Sequence, residues 1–277
     1  MIKNNKFYIN NLKNVFFIGE DDNLESFHEI NKNKGINSFL VTSKHQSKLM
    51  SRNLKYKIFD KLDNKFKNYV REKCNIKNTL FISFGSRFIF RQETIKRFFL
   101  NNIVNFHNSR LPYDAGGGDY SWRIIREDRI ESQLVHLISD KIDGGPILDS
   151  KTTIFPSYCK VPIDYRNYSK KTFREFYESF IDKILKKKSF NIQIQSENLG
   201  RYNPRLNTNL NGYIDWNMDA HQLYNFINAF DDPFKGASTF LNNKKFGRLY
   251  IKKVHLHGGD SSNHPYMTGL ISRHDKN

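Results

Sequence analysis

The sequence predicts an α/β protein built on a mainly parallel sheet, with a smaller β-rich unit toward the C-terminal end. Three observations carry this. From the start of the chain, short apolar runs alternate with polar segments of helical length, as strands and helices do around a parallel sheet. Between residues 171 and 185, apolar side chains recur at three- and four-residue spacing, which makes one buried helical face. From residue 189 to 211 the composition turns polar and asparagine-rich, with Pro204, and a second unit follows.

Taken in order, residues 14–19 (NVFFIG) form a continuous apolar run and predict a buried strand, 23–32 a helix and 36–41 a strand. Residues 56–59 supply a third short strand, 65–73 a helix, 79–84 (TLFISF) a fourth strand and 92–99 another helix. Residues 103–106 (IVNF) add a strand, followed by a glycine-rich irregular loop and a helix at 120–126. Two extended runs come next, 133–138 and 146–155, joined by DKIDGG, a connection too polar and too rich in glycine to serve packing alone. The helix at 171–185 places Phe173, Phe176, Tyr177, Phe180, Ile181, Ile184 and Leu185 on its core face. Beyond the polar segment, a helix carries Leu223, Phe226, Ile227 and Phe230 on one side, and residues 248–256 read as a strand. The pattern is Rossmann-like, and it divides into a large domain at 1–188, a linker at 189–211, and a helix with a small β subdomain at 212–277.

The chain has 277 residues and a formal charge of +17, from 45 Lys+Arg against 28 Asp+Glu. With 38% hydrophobic and 14% aromatic residues it is not a disordered basic tail. The lysines are spread along the chain instead of forming the concentrated basic face that nucleic-acid binding needs, so most of the excess is assigned to compositional bias. Two cysteines, Cys74 and Cys159, without a CxxC pair, point to a reducing compartment and away from a disulfide framework or structural zinc. The N-terminus lacks the apolar stretch of a signal peptide, and no run approaches the roughly 18 to 20 apolar residues of a spanning helix, so the expectation is a soluble, cytoplasmic protein without a membrane partner.

Chemistry concentrates where a predicted buried strand ends, in Asn105-Phe106-His107-Asn108-Ser109-Arg110-Leu111-Pro112. Ligands of open α/β sheets bind at the carboxyl ends of strands. Asn105 and His107 are two apart, so strand geometry sends both side chains from one face, one an amide donor and the other a proton carrier that titrates near neutrality. A second polar cluster, Asp140-Lys141-Ile142-Asp143-Gly144-Gly145-Pro146, follows another strand and offers a carboxylate to that histidine. Taken singly, His107 reads as a hydrogen-bonded loop histidine and Asp143 as a turn residue before glycine. His255 and His257 alternate in a strand-like segment but have no third ligand nearby, so no metal site is assigned. His264 and His274, in the polar tail, carry no usable signal.

Together the two clusters resemble the active-site signature of the 10-formyltetrahydrofolate-dependent formyltransferases, a family acting on glycinamide ribonucleotide, methionyl-tRNA and nucleotide-linked amino sugars. The family's Asn, one residue, His, then Ser and a Leu-Pro pair match Asn105, His107, Ser109, Leu111 and Pro112. Its later Asp-Gly-Gly segment matches Asp143 onward to Leu148, at the family's usual separation. The segments GYIDW at 212–216 and AFDDPFKGA at 229–237 resemble the link and the start of the C-terminal unit in the tRNA and amino-sugar enzymes.

The resemblance implies a formyltransferase fold and acyl transfer from 10-formyltetrahydrofolate to a primary amine, without metal. Asn105 would donate to the developing oxyanion, His107 would carry the proton, and Asp143 would orient His107. Folate is expected against Phe88, Ile89 and Phe90 and against Ser139, Asp140, Lys141 and Ile142. Ser109, a loop-capping hydroxyl more than a nucleophile, stands with Arg110, Tyr113 and Trp122 on the sugar-nucleotide side, where a base wants an aromatic face and a pyrophosphate wants guanidinium.

Departures from the family pattern narrow the substrate. Asn108 and Arg110 replace smaller or apolar residues, which makes the rim more polar, and Gly19-Glu20-Asp21-Asp22 puts acids where the ribonucleotide enzymes cradle phosphate. Trp122 stands where amino-sugar enzymes often have tryptophan, and TGLISRHDKN ends where a tRNA enzyme would still need barrel strands. The expectation is an N-formyltransferase acting on a nucleotide-diphosphate-linked dideoxy amino sugar of a surface polysaccharide such as O-antigen, with homodimerisation through the C-terminal unit. The alternatives are a methionyl-tRNA formyltransferase, which the +17 would suit, and a catalytically inactive folate or nucleotide binder.

Overall fold

Continuous apolar runs too short for helices have one stable arrangement, a sheet covered on both faces. In the computed structural model, which describes residues 2–3, 5–117, 119–196, 200–241 and 247–256, that sheet has seven strands. They are β1 (Asn14–Gly19), β2 (Asn37–Thr42), β3 (Lys57–Ile58), β4 (Thr79–Phe84), β5 (Ile103–His107), β6 (Ile130–Leu137) and β7 (Ile147–Ile154). Their spatial order is β7-β6-β5-β4-β1-β2-β3. The strands from β1 to β5 pair in parallel, and β6 then runs antiparallel to β5. The expected mixed α/β architecture with a mainly parallel sheet is present. His257, His264, His274 and the closing TGLISRHDKN lie outside the described residues.

Alternation along each strand sorts the core into two layers. Val15 and Phe17 of β1, Leu80, Ile82 and Phe84 of β4, and Val104 and Phe106 of β5 face one cluster, which α1 (Leu24–Asn33) and the apolar stripe Phe173 to Ile184 complete. Phe16, Ile18, Phe81 and Ile103 face the other, completed by Phe66 and Val70 of α2 (Asn64–Lys73). Phe106 is the hub of the first layer, its ring within 5.3 to 6.0 Å of those of Phe84, Phe173, Phe176, Tyr177 and Phe180.

The helix expected at 92–99 is wound as a π-turn over Thr94–Phe98, with Phe99 N–H donating to Thr94 O at 3.1 Å. The cause is two consecutive aromatics that both need burial: Phe98 packs on Phe66 and Phe99 on Phe81, and a wider turn lets adjacent residues reach the same layer. The helix expected from residue 171 begins earlier, at Pro162, and is labelled α4 (Pro162–Leu185) after α3 (Asp119–Ile125). Pro162 fits a first helical turn, and Asp164 Oδ2 accepts the N–H groups of Lys160 and Val161 there.

Two compact units arise among the described residues, and they are not consecutive in sequence. One is drawn from Met1–Ala115, Glu131–Thr153 and Ser169–Tyr202, the other from Gly116–Ile130, Ile154–Tyr168 and Asn203–Asn277. The linear division at 188 and 211 follows covalent order, whereas compactness assigns residues 189–202 to the unit that holds the sheet. The second unit has its own core of Ile124, Phe155, Tyr165, Ile214, Ile227 and Phe230. Its helix α5 (Ala220–Ala229) starts at a capping box formed by Asp219 and Gln222, and its antiparallel hairpin pairs β8 (Ala237–Phe240) with β9 (Arg248–Ile251). The strand expected to run on to residue 256 stops at Ile251, because Lys253 turns into the left-handed region and gives its N–H to Asp231 Oδ2 at 2.7 Å. No helix among the described residues is long and apolar enough to cross a membrane.

Replacing Phe106 by alanine is expected to cost about 3 to 5 kcal/mol, read as a fall in the urea midpoint. A loss below about 1 kcal/mol would contradict its place as the hub of that layer.

Candidate functional site at the carboxyl end of β5

Since Val104 and Phe106 face the core with the long helix, Asn105 and His107 must leave β5 from the opposite side, as the two-residue spacing predicts. The antiparallel register then sets Asn105 opposite His136 and His107 opposite Leu134. Directly opposite residues share a face. Asn105 and His136 therefore meet, and Asn105 Nδ2 donates to His136 Nε2 at 3.2 Å.

The proton on His136 follows from its other contact. Nδ1 lies 2.8 Å from Leu137 O, and a carbonyl can only accept, so Nδ1 carries the hydrogen and Nε2 is the acceptor that turns the Asn105 amide toward it. His136 is 3% exposed, and burial pushes its pKa down to about 4, helped by the nearby His107 and opposed by the Leu137 hydrogen bond and by Asp143. Near neutral pH it is an uncharged hydrogen-bonding post.

Asp143 reaches the same post. Its Oδ1 lies 3.9 Å from His136 Nε2, and its backbone sits in the left-handed region at φ 52°. The sequence pairs Asp143 with His107, whereas the structure sets its carboxylate beside His136. The ring of His107 stands edge-on to that of His136 at 6.4 Å. His107 Nε2 is buried and meets no hydrogen-bond partner among the described residues. His28 Nε2 and four other buried side-chain atoms among the described residues also lack a partner, and what sets His107 apart is its place at a strand end beside Asn105 and His136.

The glycines of the loop have a steric reason. A Cβ on Gly145 would sit 1.7 Å from Leu137 O and 3.2 Å from His136 Nδ1. Only glycine lets the chain after Asp143 close over His136, where Pro146 O accepts from Leu137 N–H at 2.9 Å. His136 itself is disguised in the sequence as one polar residue in an apolar strand, QLVHLI, and only the register with Asn105 reveals it.

The other expected site residues separate. Ser109 is buried, with its hydroxyl given to Asp114 O, which fits a loop cap. Arg110 binds Asp114 Oδ2 through Nε at 3.2 Å and Nη2 at 3.1 Å, and its guanidinium lies over the Tyr113 ring at 5.9 Å. Arg201, which the sequence placed in a linker, holds Asp114 Oδ1 at 2.7 Å. Burial pushes the Asp114 carboxyl up, but the two guanidinium groups outweigh it and leave it below the usual carboxylate range.

Trp122 belongs to the second unit, where its indole N–H donates to Pro204 O at 2.8 Å and Arg126 lies over its ring at 4.9 Å. Phe90 is core, while Phe88 and Ile89 line a cleft of about 510 Å³ with Lys61, Arg87 and Arg91. Ile89 and Ile142 are 85% and 95% exposed. Ser139 Oγ donates to Lys141 O at 3.0 Å and folds the turn that carries Asp140 and Ile142. Among the described residues no group of three His, Cys, Asp or Glu side chains could hold a metal ion.

Comparison with known proteins bears on the fold. Residues 208–277 match the family described as formyl transferase, C-terminal domain. The bifunctional polymyxin resistance protein ArnA of Wigglesworthia glossinidia brevipalpis is 28% identical over 209 residues, 72% of this chain but 30% of its own length. A 4-N formyltransferase from Francisella tularensis shares the fold at a TM-score of 0.68 and 19% identity, covering 89% of this chain and all of that one (100%). The N-formyltransferase of Helicobacter canadensis, solved with folinic acid and dTDP-3-aminofucose, shares it at 0.61 and 17% identity over 79% of this chain and 81% of its own. A methionyl-tRNA formyltransferase from Clostridium thermocellum follows at 0.58 and 17% over 90% and 95%. The fold is the formyltransferase fold, and the resemblance read from the motifs stands.

Two outcomes test the local structure. Unfolded histidine titrates near 6.5 and His136 near about 4, so between those values the unfolded chain binds more protons. The stability that neutral His136 contributes is complete above about 6.5 and is lost as pH falls toward 4, about 1.4 kcal/mol per unit of separation. Histidine NMR should show the His136 inflection near 4, and a midpoint near 6.5 would contradict its burial. Gly145→Ala should abolish hydrogen-exchange protection at Leu137 N–H, and unchanged protection would show that the loop does not depend on close approach.

Proposed function

We propose that this chain is an N-formyltransferase that moves the formyl group of 10-formyltetrahydrofolate to the amino group of a nucleotide-diphosphate-linked dideoxy amino sugar, dTDP- or GDP-linked, for a surface polysaccharide such as O-antigen. The observation that carries this reading is the buried, open Nε2 of His107, next to Asn105 along one face of a central strand end. Sugar N-formyltransferases among the proteins of the same fold support it.

The donor supplies an activated formyl carbonyl. The chain's residues then have three tasks. The Asn105 amide, one N–H held by His136, has a second N–H to give to the oxygen that becomes negative as the amine adds. His107 Nε2 takes the proton that the attacking nitrogen must lose. Asp143, whose carboxylate lies beside His136, favours through its charge the cationic form that His107 takes on. One C–N bond forms to the sugar nitrogen, the bond from the formyl carbon to the folate nitrogen breaks, and that nitrogen receives a proton, so no oxidant, reductant or metal is required.

Both substrates are anions. The cleft holds Lys61, Arg87 and Arg91 alongside Asp60 and Asp63, and its cations suit the carboxylate tail of folate, while the guanidinium groups of Arg110 and Arg201 on Asp114 suit a pyrophosphate. The exposed Ile89 and Ile142 offer apolar surface to a pterin. Cys74 and Cys159 are both buried and not joined to each other, which accords with a reducing cytoplasm. Homodimerisation through the C-terminal unit belongs to the same reading.

Mass spectrometry of formyl transfer should decide the substrate, with dTDP-4-amino-4,6-dideoxyglucose, its 3-amino isomer, GDP-perosamine and charged initiator tRNA offered side by side. Formylation of an amino sugar is expected. Modification of tRNA alone would overturn the reading, and modification of none would indicate a binder. Asn105→Ala and His107→Ala should each lower turnover by about 100- to 1000-fold while melting stays near that of the parent, and near-native turnover in either would remove that residue from the mechanism.

A further inference from the structure

Asp143 has to be held by something, because its backbone occupies a sparsely populated conformation and its loop is rich in glycine. The holder comes from the stretch that reads as a linker. Ile147 and Gln193 exchange both backbone hydrogen bonds, at 2.8 and 2.9 Å, and bring the next residues alongside the Asp143 loop. From there Gln195 Nε2 donates to Asp143 O at 2.7 Å and to Gly145 O at 2.6 Å.

A primary amide nitrogen has two hydrogens, and here each meets a carbonyl on one side of Gly144. The same loop is pinned from the other side by the approach of Gly145 to Leu137 O and by the bond from Leu137 N–H to Pro146 O. Asp143 is thus fixed between two anchors, the His136 strand and Gln195.

We infer that Gln195 is a positioning residue for the formyl-transfer site: its amide bridges the carbonyls of Asp143 and Gly145 and so sets the Asp143 carboxylate beside His136. This rests on the proposed function, since the carboxylate needs a fixed place only if Asp143 takes part in the reaction. Gln195 does not touch the reacting atoms in this account. Its effect passes entirely through Asp143.

The chemistry of the clamp supplies a test. Gln195→Met keeps the length and removes both donors. Gln195→Glu, when ionised, sets a carboxylate against two carbonyls and cannot donate, but when protonated it regains one O–H donor. Turnover of the intact chain is measured from pH 5 to 8 for the parent, both variants and Asp143→Asn, with melting temperatures at each pH.

Gln195→Met is expected to lower kcat by about 10- to 100-fold with KM for both substrates within about threefold, at every pH. The kcat of Gln195→Glu relative to the parent should rise as pH falls, whereas the ratio for Gln195→Met stays flat. A parent-like kcat in Gln195→Met, or a flat ratio for Gln195→Glu with both variants folded, would overturn the inference while leaving the function intact. Full activity in Asp143→Asn would instead overturn the role of Asp143 on which the inference stands. A general packing role would lower melting temperature without the pH-dependent recovery.

Discussion

The hydrogen bond from Asn105 Nδ2 to His136 Nε2 forms only while β5 and β6 keep one register, and a slip of one residue would turn every side chain of β6 to the other face. That register is secured from behind. Val104 and Phe106 on β5 and Val135 and Leu137 on β6 all enter the same core layer, so the apolar faces and the polar faces are fixed by one alignment. The geometry of the candidate site is the reverse side of the hydrophobic core, and neither can move without the other.

His136 links the local elements. Its Nδ1–H is given to Leu137 O, its Nε2 turns the Asn105 amide, and its position receives the Asp143 carboxylate at 3.9 Å. Burial keeps it neutral, which matters because a cation at this point could not accept the Asn105 bond. The loop after β6 closes over it because Gly145 has no side chain, and Gln195 holds that loop from the far side. Rigid strands, one buried imidazole and one amide clamp thus frame His107 Nε2, a buried nitrogen that meets no hydrogen-bond partner among the described residues.

Much of this was legible in the sequence where the signal was local. The runs NVFFIG and TLFISF form strands at the residues expected, and the stripe from Phe173 to Ile184 is the core face of the long helix. Asn105, His107 and Asp143 were visible as polar residues at apolar strand ends. What stayed hidden depends on contacts distant in sequence. His136 becomes a site residue only through pairing with β5, 31 positions away, and Gln195 lies 52 positions from the carbonyl it holds. The stretch around it looks like a linker because its side chains serve another segment's backbone and not an apolar core of its own. The π-turn at Thr94–Phe98 escaped for a related reason, since periodicity cannot show that Phe98 and Phe99 must both be buried.

The most direct measurement is nitrogen NMR of ¹⁵N-labelled histidines as 5-formyltetrahydrofolate and the nucleotide sugar are added together to the intact protein. Nε2 of His107 should shift to a hydrogen-bonded position while Nε2 of His136 keeps the shift of a neutral acceptor. A response at His136 with His107 silent would contradict the account, because it would place the ligand on the post instead of on the open nitrogen beside it.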